Sequence, residues 1–302
     1  MMQRTLKLMR KNWALYLLIL PAFIYFGLFH YAPMYGVQIA FRNFNFVDGI
    51  TGSEWVGLKW FDRFVSSRQF TRLMGNTLAL SVYGLLAGFP FPIIFALMLN
   101  CVRSRGYKRV VQTITYMPHF LSTVVIVSML SMFLSQNSGF INTLIESFGG
   151  ERRLFMGRDY YFRHVYVWSG IWQSFGWNSI IFFAALTGIN PELHEAAVLD
   201  GASRWQRILH IDLPGITETM IVLLILNCGS ILNVGHEKVF LMQNELNLTT
   251  SEVISTYVYK QGLENTKYSF SAAVGLFNSV VNFIILSAVN LIAKKTSGAS
   301  LW

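Results

Sequence analysis

Two histidine–glutamate pairs are the residues of this sequence whose types and spacing come nearest to catalysis. A zinc peptidase carries such a pair within a His-Glu-x-x-His motif, in which both imidazoles bind the metal. Here Val198 follows His194-Glu195 where the second histidine should stand, and Phe240 follows His236-Glu237. The Gly-x-Ser-x-Gly motif of a serine nucleophile is also missing. The sequence therefore argues against an enzyme such as an intramembrane protease.

The usual ATP-binding loop is missing as well. That loop reads Gly-x-x-x-x-Gly-Lys-Ser/Thr, and this sequence contains no Gly-Lys pair. Cys101 and Cys228 are too few for a disulfide framework, and we expect both to be small apolar fillers. We predict that the chain has no catalytic residue and binds no metal, nucleotide or other cofactor itself.

The most regular pattern is a polar segment between two apolar stretches. Asn190-Pro191 marks a helix boundary, because the residue before proline avoids helical angles and proline suits a first turn. Gly201 then permits a turn that other residues reach only with strain. Trp205, Ile208 and Leu209 follow at i, i+3 and i+4, which makes an apolar stripe. The pattern predicts two short helices joined at Gly201, and on pattern alone a hairpin lying on a membrane without a partner explains it equally well.

The stretches around this segment are apolar enough to cross a membrane. Of the 302 residues, 53% are hydrophobic and 13% charged, whereas a soluble domain carries about 25% charged residues. A spanning helix needs about 20 predominantly apolar residues, and runs of that length favour helices over barrel strands. We therefore predict an all-α polytopic membrane protein with six transmembrane helices. The predicted spans are residues 13–32, 73–99, 111–134, 164–188, 215–234 and 271–293.

Basic residues orient these spans. Clusters without any acid precede the first span, at Arg4 to Lys11, and follow the second, at Arg103 to Arg109. With the N-terminus inside, each side carries 12 Lys and Arg residues, but the inner segments are much shorter. Because Lys and Arg concentrate in cytoplasmic loops, we predict that both termini are cytoplasmic. The net charge of +9 then reflects contact with lipid headgroups and not with nucleic acid.

The predicted organisation has three parts. Residues 1–12 form a cytoplasmic N-terminus, residues 13–293 form a six-helix transmembrane domain, and residues 294–302 form a cytoplasmic C-terminal tail. The polar segment, residues 189–213, connects the fourth and fifth spans. It therefore falls on the cytoplasmic side.

The polar segment resembles the cytoplasmic coupling loop of importer permeases that are driven by ATP-binding cassette (ABC) ATPases. In that family the loop reads roughly Glu-Ala-Ala, then Asp-Gly-Ala, then Ile-x-Leu-Pro, and the spacing here fits. One departure is Ile208, where the family often has Phe, but both are large apolar anchors. The resemblance implies that the two short helices sit in a groove of the ATPase and transmit its closure to the spans. The implied coupling residues are Glu195, Ala196, Ala197, Asp200, Gly201, Ala202, Trp205, Ile208, Ile211, Leu213 and Pro214.

Further motifs extend the resemblance over most of the chain. Tyr31–Gly36, Ser53–Phe61 and Gly139–Asn142 look like segments of carbohydrate-importer permeases. Asn76-Thr77 and Pro118 look like residues of the second and third spans of the same family. Together they are similar to the maltose-type permeases, and within them to the branch that imports oligosaccharides released from complex polysaccharides.

A member of this family forms only half of a translocation pathway. The resemblance therefore implies a second six-helix permease subunit in a heterodimer, and two ABC ATPase subunits that bind ATP and Mg. It also implies an extracytoplasmic solute-binding protein that delivers the sugar. The expected location is the bacterial cytoplasmic (inner) membrane, which the chain crosses several times in contact with lipid.

Polar and aromatic residues within the spans are candidates for the substrate pathway, because polar groups in lipid usually face protein or a cavity. Trp172 and Gln173 lie in the fourth predicted span, and Asn278 and Asn282 share one face of the sixth. Amides and aromatic faces suit sugars, but such residues also commonly pack helices together. Both interpretations therefore stay open. Three arginines of the second outer segment weakly favour a sugar rich in uronic acid: Arg152, Arg153 and Arg158.

The alternative function is a secondary transporter or channel that works alone. Such a protein needs ionisable residues near mid-membrane for ion coupling. The first, second and sixth predicted spans have no charged residue, and Glu218 lies near the inner end of the fifth. The sequence therefore favours the ATP-driven importer.

Overall fold

The computed structural model describes residues 11–302 of the chain. Most of the predicted N-terminal segment, residues 1–12, lies outside them, and so do its basic residues Arg4, Lys7 and Arg10. The described residues are mostly helical, as the sequence predicts. They divide into two compact units, which are described separately below.

Within the described residues, the first unit comprises residues 11–65 and Gln261–Leu276. Its long apolar helix α1 (Trp13–Phe26) continues through a π turn (Gly27–Tyr31) into a 3-10 helix (Ala32–Phe41). No residue of α1 is buried, and its large apolar side chains are exposed. An apolar surface of this size has to be covered by lipid or by another protein.

A β-hairpin follows in the first unit, which corrects the prediction of an all-α chain. Strands β1 (Arg42–Asn45) and β2 (Ser53–Trp55) pair antiparallel around the short helix α2 (Gly49–Gly52), and helix α3 (Lys59–Val65) follows. Strands this short show too few alternating residues for the sequence pattern to reveal them.

The second unit comprises Ser66–Lys260 and Phe277–Trp302. It begins with helices α4 (Arg68–Gly88) and α5 (Pro90–Asn100). The helices that follow are α6 (Arg105–Tyr116), a 3-10 turn (Met117–Phe120), α7 (Thr123–Phe133), α8 (Phe140–Ser147), α9 (Asp159–Thr187), α10 (Pro191–Leu199), α11 (Arg204–Arg207), a π turn (Ile208–Asp212), α12 (Leu213–Gly215), α13 (Thr217–Gly229), α14 (His236–Met242), α15 (Leu248–Ser251), α16 (Ile254–Tyr259), a π turn (Lys260–Glu264) and α17 (Tyr268–Ser297), of which the residues up to Leu276 belong to the first unit.

Helix α9 is the centre of the second unit and packs against α4, α5 and α6. Toward its N-terminal end, Phe162 and Val167 are buried in one apolar cluster with Leu80. Toward its C-terminal end, Phe182 is buried in another cluster with Ile93. Because apolar burial is the main favourable term in packing, these two clusters hold the helices around α9 in place.

Three helical segments of the described residues are long and apolar enough to cross a membrane. They are Trp13–Phe41, Arg68–Asn100 and Tyr268–Ser297, and they cover the first, second and sixth predicted spans. Helix α9 is 29 residues long and covers the fourth predicted span up to Thr187. Polar residues within it, such as Gln173 and Asn178, lower its mean hydropathy.

Bends lie within the third predicted span and at the start of the fifth. Within predicted span 111–134, the helices on either side of residues 121–122 meet at 97°. Pro118 lies in the 3-10 turn before this break, and the hydroxyl of Ser122 accepts the backbone N–H of Val125 and starts α7 afresh. The second bend, of 57°, lies at Ile216 before α13. The count of six spans stays a prediction.

Candidate functional site

The polar segment folds as two helical pieces on either side of Gly201. Helix α10 starts at Asn190, whose side-chain oxygen accepts the backbone N–H of Glu192 at 3.1 Å. Gly201 has a φ of +76°, in the left-handed region that glycine reaches without strain. Ser203 and Gln206 then form a reciprocal capping box that starts α11. The predicted turn at Gly201 is therefore present in the structure.

The segment has two different faces. Leu199 and Trp205 are 88% and 73% exposed, and Leu209 is 54% exposed. Ile208 and Leu213, by contrast, are half-buried and pack against the apolar cluster around Phe182. The predicted stripe of Trp205, Ile208 and Leu209 is thus divided, because Ile208 anchors the segment to the spans while the other two remain uncovered.

The other implied coupling residues are distributed between these faces. Four are exposed, namely Glu195, Ala196, Asp200 and Pro214, and three are half-buried, namely Ala197, Ala202 and Ile211.

A buried carboxylate braces the segment, and the sequence interpretation did not single it out. Asp212 is only 3% exposed. One of its carboxylate oxygens, Oδ1, accepts from Nδ2 of Asn100 at 3.4 Å and lies 3.3 Å from Nε2 of His194. Asp212 therefore connects both halves of the segment to the end of α5. Its place in the Ile-Asp-Leu-Pro run was the available signal, but no sequence pattern connects Asp212 with His194 or Asn100.

A cavity of about 1000 Å³ lies within the second unit. Its wall is formed by α4, by α9 and by the chain from α13 to α14. The volume is at the upper end of the range for small-molecule sites. Amide, hydroxyl and aromatic groups line it together, including Asn178, Asn227, Ser230, Phe175 and Trp177. These groups are suited to the hydroxyls and C–H faces of a sugar.

Gln173 is the one predicted pathway residue that lines this cavity. Its amide Nε2 donates to the backbone carbonyl of Leu121 at 3.2 Å, which fixes the orientation of the side chain. The neighbouring Trp172 is 46% exposed and lies outside the cavity wall.

Asn278 and Asn282 meet at a third asparagine. Both donate from Nδ2 to Oδ1 of Asn233, at 2.9 and 3.1 Å, and Oδ1 of Asn282 accepts the backbone N–H of Leu232 at 3.0 Å. Asn233 lines the cavity, whereas Asn278 and Asn282 do not. This arrangement favours helix packing over direct contact with a substrate for the two residues on α17.

The sequence interpretation also missed a lysine on the cavity wall. Lys238 lies in α14 and is 8% exposed. In the sequence it looks like one more charged residue of an outer segment, because no periodic pattern places it next to α9. In the structure, α14 packs so that Lys238 contacts Tyr166 of α9.

Sequence comparison relates the chain to transport proteins. Residues 88–298 match the family described as "Binding-protein-dependent transport system inner membrane component". The chain is 47% identical to Protein LplB of Bacillus subtilis over 95% of this chain and 90% of that protein. It is 45% identical to the polygalacturonan/rhamnogalacturonan transport system permease protein YteP of the same organism, over 96% of this chain and 90% of that protein.

Structure comparison points the same way. The chain matches a chain of a bacterial ABC transporter involved in the import of the acidic polysaccharide alginate, with a TM-score of 0.89 and 40% identity. The match covers 97% of this chain and 99% of that one. A second crystal structure, of bacterial alginate ABC transporter in complex with alginate pentasaccharide-bound periplasmic protein, matches with the same TM-score and identity. This chain therefore belongs to the family of inner-membrane components of binding-protein-dependent transport systems.

Proposed function

We propose that this chain is a permease subunit of an ATP-driven importer of oligosaccharides, in which it forms half of the translocation pathway. Its family and the carbohydrate names of its relatives support this substrate class. An extracytoplasmic solute-binding protein delivers the sugar, and a second permease subunit completes the pathway. Two ABC ATPase subunits bind ATP and Mg, and this chain binds no cofactor itself.

The main structural support for the proposal is the exposed apolar face of the polar segment. Leu199 and Trp205 are the most exposed large apolar side chains of the segment, although Ile208 and Leu213 anchor its other side to the spans. We assign the uncovered face to a groove on the ATPase. Burying a side chain such as Leu stabilises by about 1.5–3 kcal/mol, so a few such contacts can hold the partner.

The proposed topology has six spans with both termini in the cytoplasm. Helix α9 is the fourth span, the bent pair on either side of residues 121–122 is the third, and α13 is the fifth. Lys294 and Lys295 in the last turn of α17 support a cytoplasmic C-terminus, because basic residues concentrate on that side. This topology puts the coupling residues on the same side as the ATPases.

Replacing Trp205 with alanine tests this assignment. We expect Trp205→Ala to cost at least about 2 kcal/mol of binding to the ATPase, because large aromatic side chains dominate such interfaces. That cost corresponds to roughly 30-fold weaker binding. The measurement is the affinity of the purified permease pair in nanodiscs for its ATPase subunits.

The matched control is Phe148→Ala. Phe148 is equally uncovered, at 84% exposure, but lies in the segment after α8 that the topology places outside the cell. Its replacement should leave the affinity for the ATPase unchanged. Equal affinities of Trp205→Ala and the wild type would contradict the coupling assignment.

A further inference from the structure

A buried lysine on the cavity wall has no acidic partner within residues 11–302. Nζ of Lys238 donates to the backbone carbonyl of Tyr166 at 3.1 Å and lies 5.0 Å from the centre of the Tyr166 ring. Among residues 11–302, no Asp or Glu carboxylate lies within ion-pair distance of it. A lysine ammonium has three protons to donate, so this contact leaves donor capacity unused.

Burial makes this charge costly for the free protein. Lys238 is 8% exposed, and its removal from water lowers the pKa of the ammonium to about 8. Charged side chains are rarely buried unless they are paired or hydrogen-bonded. Other cations of this unit do have acidic partners: Arg72 pairs with Glu252, and Arg152 pairs with Glu146. Arg152, one of the three arginines that weakly favoured an acidic sugar, is therefore paired within this unit.

The neighbouring glycine leaves the ammonium accessible from the cavity. A Cβ on Gly170 would lie 3.3 Å from Nζ of Lys238, within close contact. Gly170 and Lys238 both line the cavity, and so do Gln173 and Asn227. An anionic group that enters the cavity can therefore approach Nζ, while amide side chains of the same wall are available to neutral groups.

We propose that Lys238 binds a carboxylate of the transported oligosaccharide, so that the substrate class is sugars that contain uronic acid. This inference rests on the proposed function as an oligosaccharide permease. A carboxylate is the group that best matches a single ammonium with free donors, and charge-assisted hydrogen bonds of this kind are stronger than neutral ones. Sugar hydroxyls and C–H faces would meet the amides and the aromatic residues Phe175 and Trp177.

The test compares a charged probe with its neutral counterpart. The complete importer, with its partner permease, ATPases and binding protein, is reconstituted in liposomes, and ATP-dependent uptake of trigalacturonate is measured. Fully methyl-esterified trigalacturonate is the neutral probe, because it keeps the sugar backbone and its hydroxyls and replaces each carboxylate with an uncharged methyl ester. Each variant is compared with the wild type for the same probe, so the preference of the binding protein cancels.

Lys238→Met removes the ammonium and keeps most of the side-chain volume. We expect it to lower uptake of trigalacturonate at subsaturating concentration by roughly 10- to 100-fold, as the loss of one charged hydrogen bond would. Uptake of the methyl ester should change less than about threefold. Lys238→Arg keeps a positive charge, so unlike Lys238→Met it should retain much of the wild-type preference for the charged probe. Lys260→Met is the matched control, because Lys260 donates to Gln243 and does not line the cavity.

The outcomes separate this inference from the proposed function. If Lys238→Met lowered the uptake of both probes by the same factor, Lys238 would have a structural role and the inference would be overturned. Unchanged uptake of trigalacturonate would also overturn it. If the wild-type complex took up neither probe in an ATP-dependent way, the proposed function itself would fail for these sugars, and the inference with it.

Discussion

At the scale of single residues, the coupling segment depends on backbone conformation as much as on side chains. Gly201 adopts a left-handed φ, and apart from its chain neighbours no atom of the described residues lies within 4 Å of the position that its Cβ would occupy. A substitution there meets no clash within residues 11–302, so its cost comes from the backbone and from any partner that covers the turn. The sequence predicted this turn correctly, because a glycine between two helical patterns is typical of a left-handed turn that ends the first helix.

Gly201→Trp should uncouple ATP hydrolysis from uptake without preventing insertion into the membrane. The side chain forces an unfavourable φ, which costs about 1–2 kcal/mol, and it projects toward the proposed ATPase groove. The measurement is the number of ATP molecules hydrolysed per sugar transported by the reconstituted importer. Gly201→Asn is the control, because asparagine tolerates the left-handed region and is much smaller. Normal stoichiometry in Gly201→Trp would count against the coupling role.

Asp212 is the residue whose role the sequence could not reveal, since its partners come from distant parts of the chain. Asp212→Ala should destabilise the permease by roughly 1–3 kcal/mol, because it leaves Asn100 and His194 without their shared acceptor. Thermal unfolding of the purified permease pair would measure the change. Asp200→Ala, in an exposed position of the same segment, should stay within about 0.5 kcal/mol of the wild type. Equal stability of the two variants would show that Asp212 does not brace the segment.

At the scale of helices, hydropathy predicted where apolar stretches lie but not how they bend. The segment 111–134 has the length and composition of one span, yet the chain turns by 97° within it. The change of direction comes from a 3-10 turn at Pro118 and a new N-cap at Ser122. Both residues are visible in the sequence, but the continuous apolar pattern around them predicted a single span. The hairpin of β1 and β2 was missed for the related reason that its strands are very short.

Close helix packing gives a prediction at the same scale. A Cβ on Gly176 of α9 would run into the backbone carbonyl of Thr115 on α6. Gly176→Ala should therefore separate the two helices and destabilise the permease by about 1–3 kcal/mol. Gly75→Ala in α4 is the control, because Gly75 has no atom within 4 Å of its Cβ position. Thermal unfolding of the purified permease pair gives the melting temperature of each variant. If Gly75→Ala lowered the melting temperature as much as Gly176→Ala, this packing argument would be refuted.

At the scale of the whole molecule, family and transport class were readable from sequence, because the coupling motif has fixed spacing and the charge deficit requires a membrane. The cavity was not readable, since its wall comes from helices far apart in the chain. Of the four predicted pathway residues, Gln173 alone lines it, and Asn278 and Asn282 instead hold Asn233. Lys238 became a candidate only through its contact with Tyr166.

The energy source is the central claim about the whole molecule. A buried ionisable residue such as Lys238 is also what an ion-coupled transporter would use, so the energy source of uptake is what distinguishes the two mechanisms. The chain contains no nucleotide-binding loop of the usual kind, and it therefore depends on partner subunits if ATP drives transport.

The most direct measurement is sugar uptake by the reconstituted importer with ATP and ion gradients varied independently. The liposomes contain this chain, its partner permease and the ATPases, with loaded binding protein outside. We predict that uptake requires ATP inside the liposomes and continues when a protonophore removes the proton gradient. Uptake that stops with the protonophore, and that proceeds without ATP, would contradict the account and show that an ion gradient drives transport.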